Sequence, residues 1–195
     1  FPLDIQFNGF SGPSYLFYPF NFYKLKRTNF KFKKVPNILL IQGGTDANNN
    51  LNKILNILLN NKFKFKFKIT IKTQTKNQID KRYLNIKDIR IVQRVKSIDN
   101  ILRSADLAIS ACGNSAFELG FLGVPTIHFT NEKREIIRAK IFEKKKIGVF
   151  CYPNNKKKLV NEINKLYTDK DYRKKLILKR IKYFRKKNLL IKLFK

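Results

Sequence analysis

The stretch Cys112-Gly-Asn-Ser-Ala-Phe-Glu118 holds the residues of this chain best suited to grip an anion. Gly113, Asn114 and Ser115 are small or polar, and they stand where an apolar run gives way to helical spacing. The first N–H groups of a helix have no partner within it, and the helix dipole adds partial positive charge at that end. A phosphate fits such a place. Glu118 lies one turn further on, placed to reach past the anion to a ligand hydroxyl. Phosphates on the helix end and a ribose on the acid describe a nucleotide sugar. A second candidate is Gln42-Gly-Gly-Thr-Asp46, which also precedes a helical stripe. Two adjacent glycines let a backbone approach a phosphate closely, although many α/β turns carry such a pair.

Both stretches need a scaffold, and the flanking pattern supplies one. Residues 107–110 are apolar, Ala116, Phe117, Leu119 and Leu122 recur at helical spacing, and Gly123 closes the helix before Pro125 opens a new strand. Ahead of the Gly-Gly pair, residues 35–42 predict a buried strand. After it, Leu51, Ile54, Leu55, Ile57, Leu58 and Leu59 predict the buried stripe of a helix. Residues 63–73 alternate, with Phe63, Phe65, Phe67, Ile69 and Ile71 on one face and Lys62, Lys64, Lys66, Lys68 and Lys72 on the other. That pattern predicts a strand with one wet face near a sheet edge. Further strands are predicted at 89–95 and 147–152, a cap at Ser97, and a helix at 133–146. Lys-rich amphipathic helices follow Pro153, burying Leu159, Ile163 and Leu166. Strands alternate with helices throughout, which predicts a parallel Rossmann-like α/β sheet with helices on both faces. His128 falls inside a strand and reads as packed core.

Composition narrows the classes. At 195 residues and 43% hydrophobic, the chain can bury a core of its own. It starts at Phe1 and contains no Met, so it reads as a piece of a longer product. No apolar run reaches the roughly 18 residues of a membrane span. Two distant cysteines, Cys112 and Cys151, fit a reduced, cytoplasmic setting. Lys plus Arg outnumber Asp plus Glu by 43 to 13, a formal charge of +30. Such charge suits nucleic acid or an anionic membrane surface. AT-rich codons also inflate Lys, Asn, Ile and Phe together, and no RNA- or DNA-binding signature accompanies the charge. Peripheral contact with an anionic membrane is therefore the expected use of it, ahead of a basic nucleic-acid-binding module. No cluster of His, Cys, Asp and Glu suggests a metal, and no cofactor is expected.

The two loops together carry a resemblance. Gln42-Gly-Gly-Thr-Asp46 with Asn48-Asn-Asn-Leu51 is similar to the Gly-Gly-Ser-Asp-Pro-x-Asn segment of the UDP-sugar hydrolases of pseudaminic acid biosynthesis and their spore-coat polysaccharide relatives. Ala105-Asp-Leu-Ala-Ile-Ser-Ala-Cys-Gly-Asn-Ser-Ala-Phe-Glu118 with Leu122-Gly-Val-Pro125 resembles the same family's Ala-Asp-Leu-Ala-Ile…Gly-Ser/Thr-x-x-x-Glu…Leu-Gly-x-Pro. Gly12-Pro-Ser-Tyr15 looks like its Gly-Pro-x-Tyr linker. The second motif is shared with the wider class that holds the N-acetylglucosaminyl transferase of peptidoglycan lipid II synthesis.

The resemblance implies the C-terminal, nucleotide-binding half of a two-domain GT-B architecture. Residues 1–34 would be a linker or a segment returning from an N-terminal domain, 35–170 the nucleotide-sugar-binding domain, and 171–195 a basic C-terminal helix. It implies Gly43, Gly44, Thr45 and Asp46 on the diphosphate side, Gly113, Asn114 and Ser115 on phosphate, and Glu118 on the ribose. The family's catalytic His lies in an N-terminal Gly-x-Gly-His motif that this sequence lacks, so no catalytic residue is expected on this chain. The implied activity is release of UDP from a UDP-activated amino sugar, of the UDP-2,4-diacetamido-2,4,6-trideoxy-altropyranose type, for surface glycans. The alternative is a UDP-sugar-dependent glycosyltransferase of the family 28 type. One departure stands out: where the family carries an acidic-Asn-Gln triplet, this chain has Lys133-Arg134-Glu135.

Overall fold

A computed structural model describes residues 32–95 and 97–186. Most of the 1–34 segment, with its Gly12-Pro-Ser-Tyr15 motif, and the last residues of the tail lie outside the described residues. The elements run β1 (Asn37–Ile41), α1 (Asn50–Asn60), β2 (Lys68–Lys72), β3 (Ile89–Val92), α2 (Asp99–Ser104), β4 (Leu107–Ser110), α3 (Asn114–Phe121), β5 (Thr126–Phe129), α4 (Lys133–Lys144), β6 (Val149–Cys151), α5 (Lys156–Thr168) and α6 (Lys170–Lys186). Six strands form one sheet in the order β3-β2-β1-β4-β5-β6, and every pairing is parallel. The strand order reverses direction between β1 and β4, which is where open α/β sheets form their ligand crevice.

Each strand sends alternate side chains to opposite faces. Ile38, Leu40, Ile69, Ile71, Ile109 and Phe129 meet α1 and α5 through Leu51, Ile54, Leu55, Leu159, Ile163 and Leu166. Leu39, Ile41, Ala108 and Phe150 meet α2, α3, α4 and the end of α6 through Leu102, Leu119, Phe142 and Phe184. The result is three layers, as the alternation of strand and helix predicts. In the α1 stripe, Leu59 is the exception: it lies in the last turn and is exposed.

The alternating segment departs from expectation. Only Lys68–Lys72 joins the sheet, and it pairs on both sides, so β2 is an interior strand and β3 is the edge. Residues 61–67 form a loop instead. Its Phe63, Phe65 and Phe67 pack edge-on against one another, and Phe65 stacks on Tyr167 of α5 at 3.7 Å. The amide of Lys64 donates to Asn164 of α5 at 3.1 Å rather than to a neighbouring strand. A loop with an apolar underside produces the same period-two pattern as a half-buried strand. The cap at Ser97 also shifts: Ile98 occupies the N-cap position of α2, and the Ser97 hydroxyl bonds the Asp99 carboxylate.

The basic C-terminal helix begins at Lys170 and packs against α3 and α5. It buries Leu176, Ile177 and Phe184, and also Arg173 and Arg180. Arg173 donates through Nη1 to the carbonyls of Leu166 and Tyr167, and Arg180 to those of Ile147 and Ala116. These two cations satisfy backbone carbonyls instead of facing solvent. Among the described residues no helix is long and apolar enough to cross a membrane.

Candidate functional site

β1 and β4 are adjacent and parallel, so the loops that leave them emerge at the same edge of the sheet. Gly43, Gly44, Asn114 and Ser115 line one cleft there, of about 370 Å³. Its walls are completed by Ile41, Lys72, Thr73, Gln74 and Ile98. The two Gly-bearing loops therefore meet, as the nucleotide-sugar reading requires.

The two glycines serve different purposes. Gly43 has φ +79° and open space where a side chain would stand, so the left-handed turn out of β1 calls for glycine. At Gly44 the space is filled: a Cβ there would lie 2.6 Å from the side-chain nitrogen of Gln74. Gln78 donates to the Gly44 carbonyl at 2.9 Å. The group that comes close to Gly44 is thus the chain's own Gln74, where the sequence reading expects a phosphate.

Thr45 and Asp46 do not line the cleft. The Asp46 carboxylate instead accepts from the first amides of α1, Asn50 and Leu51, each at 2.8 Å. It caps that helix and fixes the Gly-Gly turn in front of it. Burial nonetheless pushes its pKa up, against the opposing pull of those two donors and Lys53.

On the β4 side, Gly113 is the N-cap residue of α3 and brings no capping side chain. Asn114 and Ser115 are thus the first helical residues, and both reach the cleft. Gly113 itself faces the start of α4, where a Cβ would lie 3.3 Å from the Glu135 carboxylate. Glu135 is held by the Thr130 hydroxyl at 2.5 Å, and Arg138 donates to the Cys112 carbonyl just before the loop. Lys133-Arg134-Glu135, conspicuous in the sequence as a departure, therefore abuts the Gly113 turn through its third residue. Burial pushes the Cys112 thiol up to about 12, so it carries no thiolate near neutral pH.

Glu118 sits in the second turn of α3, half-buried and outside the lining of the cleft. Burial raises its pKa. The folded state then holds this proton to higher pH than the unfolded chain, and stability is lost as pH rises from the ordinary carboxylate value through the raised one. Glu118→Gln should therefore melt at the same temperature as the parent well below pH 4 and at a higher temperature at neutral pH. Thermal melts at several pH values check this; equal shifts at all pH would show that no proton is involved.

His128 is fully buried in β5, with Nδ1 3.4 Å from the Ser110 hydroxyl. Burial, reinforced by Arg180, lowers its pKa to about 3, so it is a neutral core residue as expected from its place in a strand. No group of three or more His, Cys, Asp and Glu converges among the described residues. Sequence reasoning missed Lys72, Thr73 and Gln74. Their signal was positional: they end the strand beside β1, but the alternation of 63–73 assigned Lys72 to a solvated face.

Comparison with known proteins adds a family. The glycosyltransferase family 28 C-terminal domain matches residues 38–189. An uncharacterized protein of Methanocaldococcus jannaschii, MJ1062, is 32% identical over 126 residues, 60% of this chain and 26% of its own length. Among solved structures, the spinosyn rhamnosyltransferase SpnG complexed with thymidine diphosphate superposes with a TM-score of 0.67 at 15% identity, over 84% of this chain and 45% of that one. The glycosyltransferase VinC in complex with DTDP gives 0.62 at 14% identity, over 82% and 40%. The chain spans about a quarter of the length of the curated relative and under half of these two enzymes. At such identities the structures speak for the fold, that of a GT-B C-terminal half, while the match over residues 38–189 is what identifies the chain as a member of the glycosyltransferase family 28 C-terminal domain family.

Proposed function

We propose that this chain is the nucleotide-sugar-binding half of a UDP-sugar-dependent glycosyltransferase of the family 28 type. The observation that carries the reading is the single cleft formed by Gly43, Gly44, Asn114 and Ser115 at the carboxyl edge of a parallel sheet. Family membership supports transfer over the hydrolysis of a pseudaminic acid precursor, since the matching domain is that of a glycosyltransferase. Two structurally similar enzymes are described with thymidine diphosphate or DTDP, which supports a nucleoside diphosphate as the shared ligand class.

In this reading the amides at Asn114 and Ser115 and the Ser115 hydroxyl hold the diphosphate, with the Gly43–Gly44 backbone opposite. The family resemblance gives the ribose hydroxyls to Glu118, which lies one turn along α3, half-buried and beyond the lining of the cleft. As the bond to the sugar breaks, negative charge grows on the β-phosphate, and donors already aimed there lower the barrier without reorganising. An N-terminal domain would bring the acceptor and the base that deprotonates it, and closure of the two halves would orient the reactants. The exposed Lys62, Lys64, Lys66 and Lys68 would suit an anionic membrane in a cytoplasmic enzyme.

Titration of the 195-residue chain with UDP tests the reading. Saturable binding is expected, weakened about tenfold or more in Glu118→Ala through loss of charge-assisted hydrogen bonds. A chain that binds neither UDP nor TDP overturns the site. Undiminished UDP binding in Glu118→Ala removes the ribose assignment and leaves the diphosphate cleft standing.

A further inference from the structure

The register of the sheet puts one row of residues at the mouth of the cleft. Val92, Lys72, Ile41 and Ser110 are successive partners across β3, β2, β1 and β4. Partners in such a row project to the same face of a parallel sheet. Ile41 belongs to the apolar layer beneath α2, α3 and α4. Lys72 therefore projects to the face on which α3 begins, not to the α1 face occupied by its neighbour Ile71. It is the one charged side chain in the cleft lining among the described residues.

We propose that Lys72 is a diphosphate-binding residue, the cation that faces Asn114 and Ser115 across the turn at Gly43–Gly44. The proposal rests on the reading of the cleft as a nucleoside-diphosphate site. Two strand spacings of about 4.8 Å separate β2 from β4, a gap suited to a diphosphate bridging them. The start of α3 offers roughly half an elementary charge, well short of what the several negative charges of a departing diphosphate need. A full cation on the opposite wall supplies the difference. The Lys72 ammonium donates to the Thr73 carbonyl at 3.0 Å, which orients it and leaves two of its three donors for phosphate oxygens. Among the described residues it forms no ion pair with a carboxylate. Burial lowers its pKa, so an anion beside it would restore part of the stabilisation that water no longer provides. Lys68, at the other end of the same strand and on the same face, is exposed. The difference between these two lysines is position: one closes the strand at the cleft and the other opens it at the far edge.

The experiment measures UDP and UMP affinity for the 195-residue chain, Lys72→Gln and Lys72→Arg, with thermal melts to confirm folding. UDP affinity is expected to fall about thirtyfold in Lys72→Gln, about 2 kcal/mol. UMP affinity should fall much less, and Lys72→Arg should restore UDP binding to within about threefold, since charge is kept. UDP binding unchanged in Lys72→Gln overturns the role of Lys72 while leaving the cleft assignment intact. So does an equal loss for UDP and UMP that Arg fails to restore, which would mark Lys72 as a structural prop. A parent chain that binds no UDP overturns the cleft reading, and this proposal falls with it.

Discussion

Asn114→Asp should leave the protein folded, slightly more stable, and at least a hundredfold weaker for UDP. Asn114 is the first residue of α3, exposed and on the wall of the cleft. A carboxylate there meets the positive end of the helix dipole, which is worth about 0.3–1 kcal/mol. For a chain of this size that shifts the melting temperature by at most about 4 °C. The same carboxylate would stand against the diphosphate. Two like charges 4 Å apart repel by about 4 kcal/mol at an effective dielectric of about 20. Screening at this exposed position reduces that figure, and a hundredfold loss remains. The opposite signs of the two effects make the result informative: a melt and a UDP titration on the same sample read both. UDP binding within threefold of the parent would mean that no phosphate rests on α3.

Phe184→Ala carries the largest expected loss of stability, about 3–5 kcal/mol. The ring is fully buried between α6, α3 and α4, edge-on to Phe117, Phe142 and Tyr183 at 6.0, 5.6 and 5.1 Å. It also lies against Gly120, where any Cβ would come within 2.4 Å of the ring. The variant should melt about 10 °C or more below the parent. Gly120→Ala should also destabilise alone, by overpacking. Combined with Phe184→Ala it should cost much less than the sum, because the new methyl enters the space the ring vacates. Additive losses would show that the two positions do not meet.

Much of this architecture could be read from the residues. The sheet, its parallel sense and the helices on both faces follow from alternating apolar runs and helical stripes, and His128 was placed correctly by its strand context. The nucleotide-sugar reading expects the 43–46 and 113–115 loops to meet at one rim of the sheet; Gly43, Gly44, Asn114 and Ser115 do so, while Thr45, Asp46 and Gly113 stand outside the cleft lining. What escaped was set by pairing partners, which a single sequence does not state. The alternation of 63–73 is real, but its first half packs on Tyr167 and its second half sits between β1 and β3. Lys72 was therefore assigned to solvent when it faces the cleft. Asp46 shows the same limit on a smaller scale: a Gly-Gly-x-Asp sequence does not say whether the acid meets a ligand or the next helix, and here it meets the helix.

The sheet is bounded by two very short strands, β3 of four residues and β6 of three. Unpaired edges invite a second chain to add on, and proteins deter this with brevity and charge. Here the outer rim is brief on both sides, and Arg90 stands exposed on the β3 side of a molecule with a formal charge of +30. Short edges and like charge both work against edge-to-edge association in a polypeptide this rich in Phe and Ile. Polyanions, which neutralise that repulsion, are the agents that should bring separate molecules together.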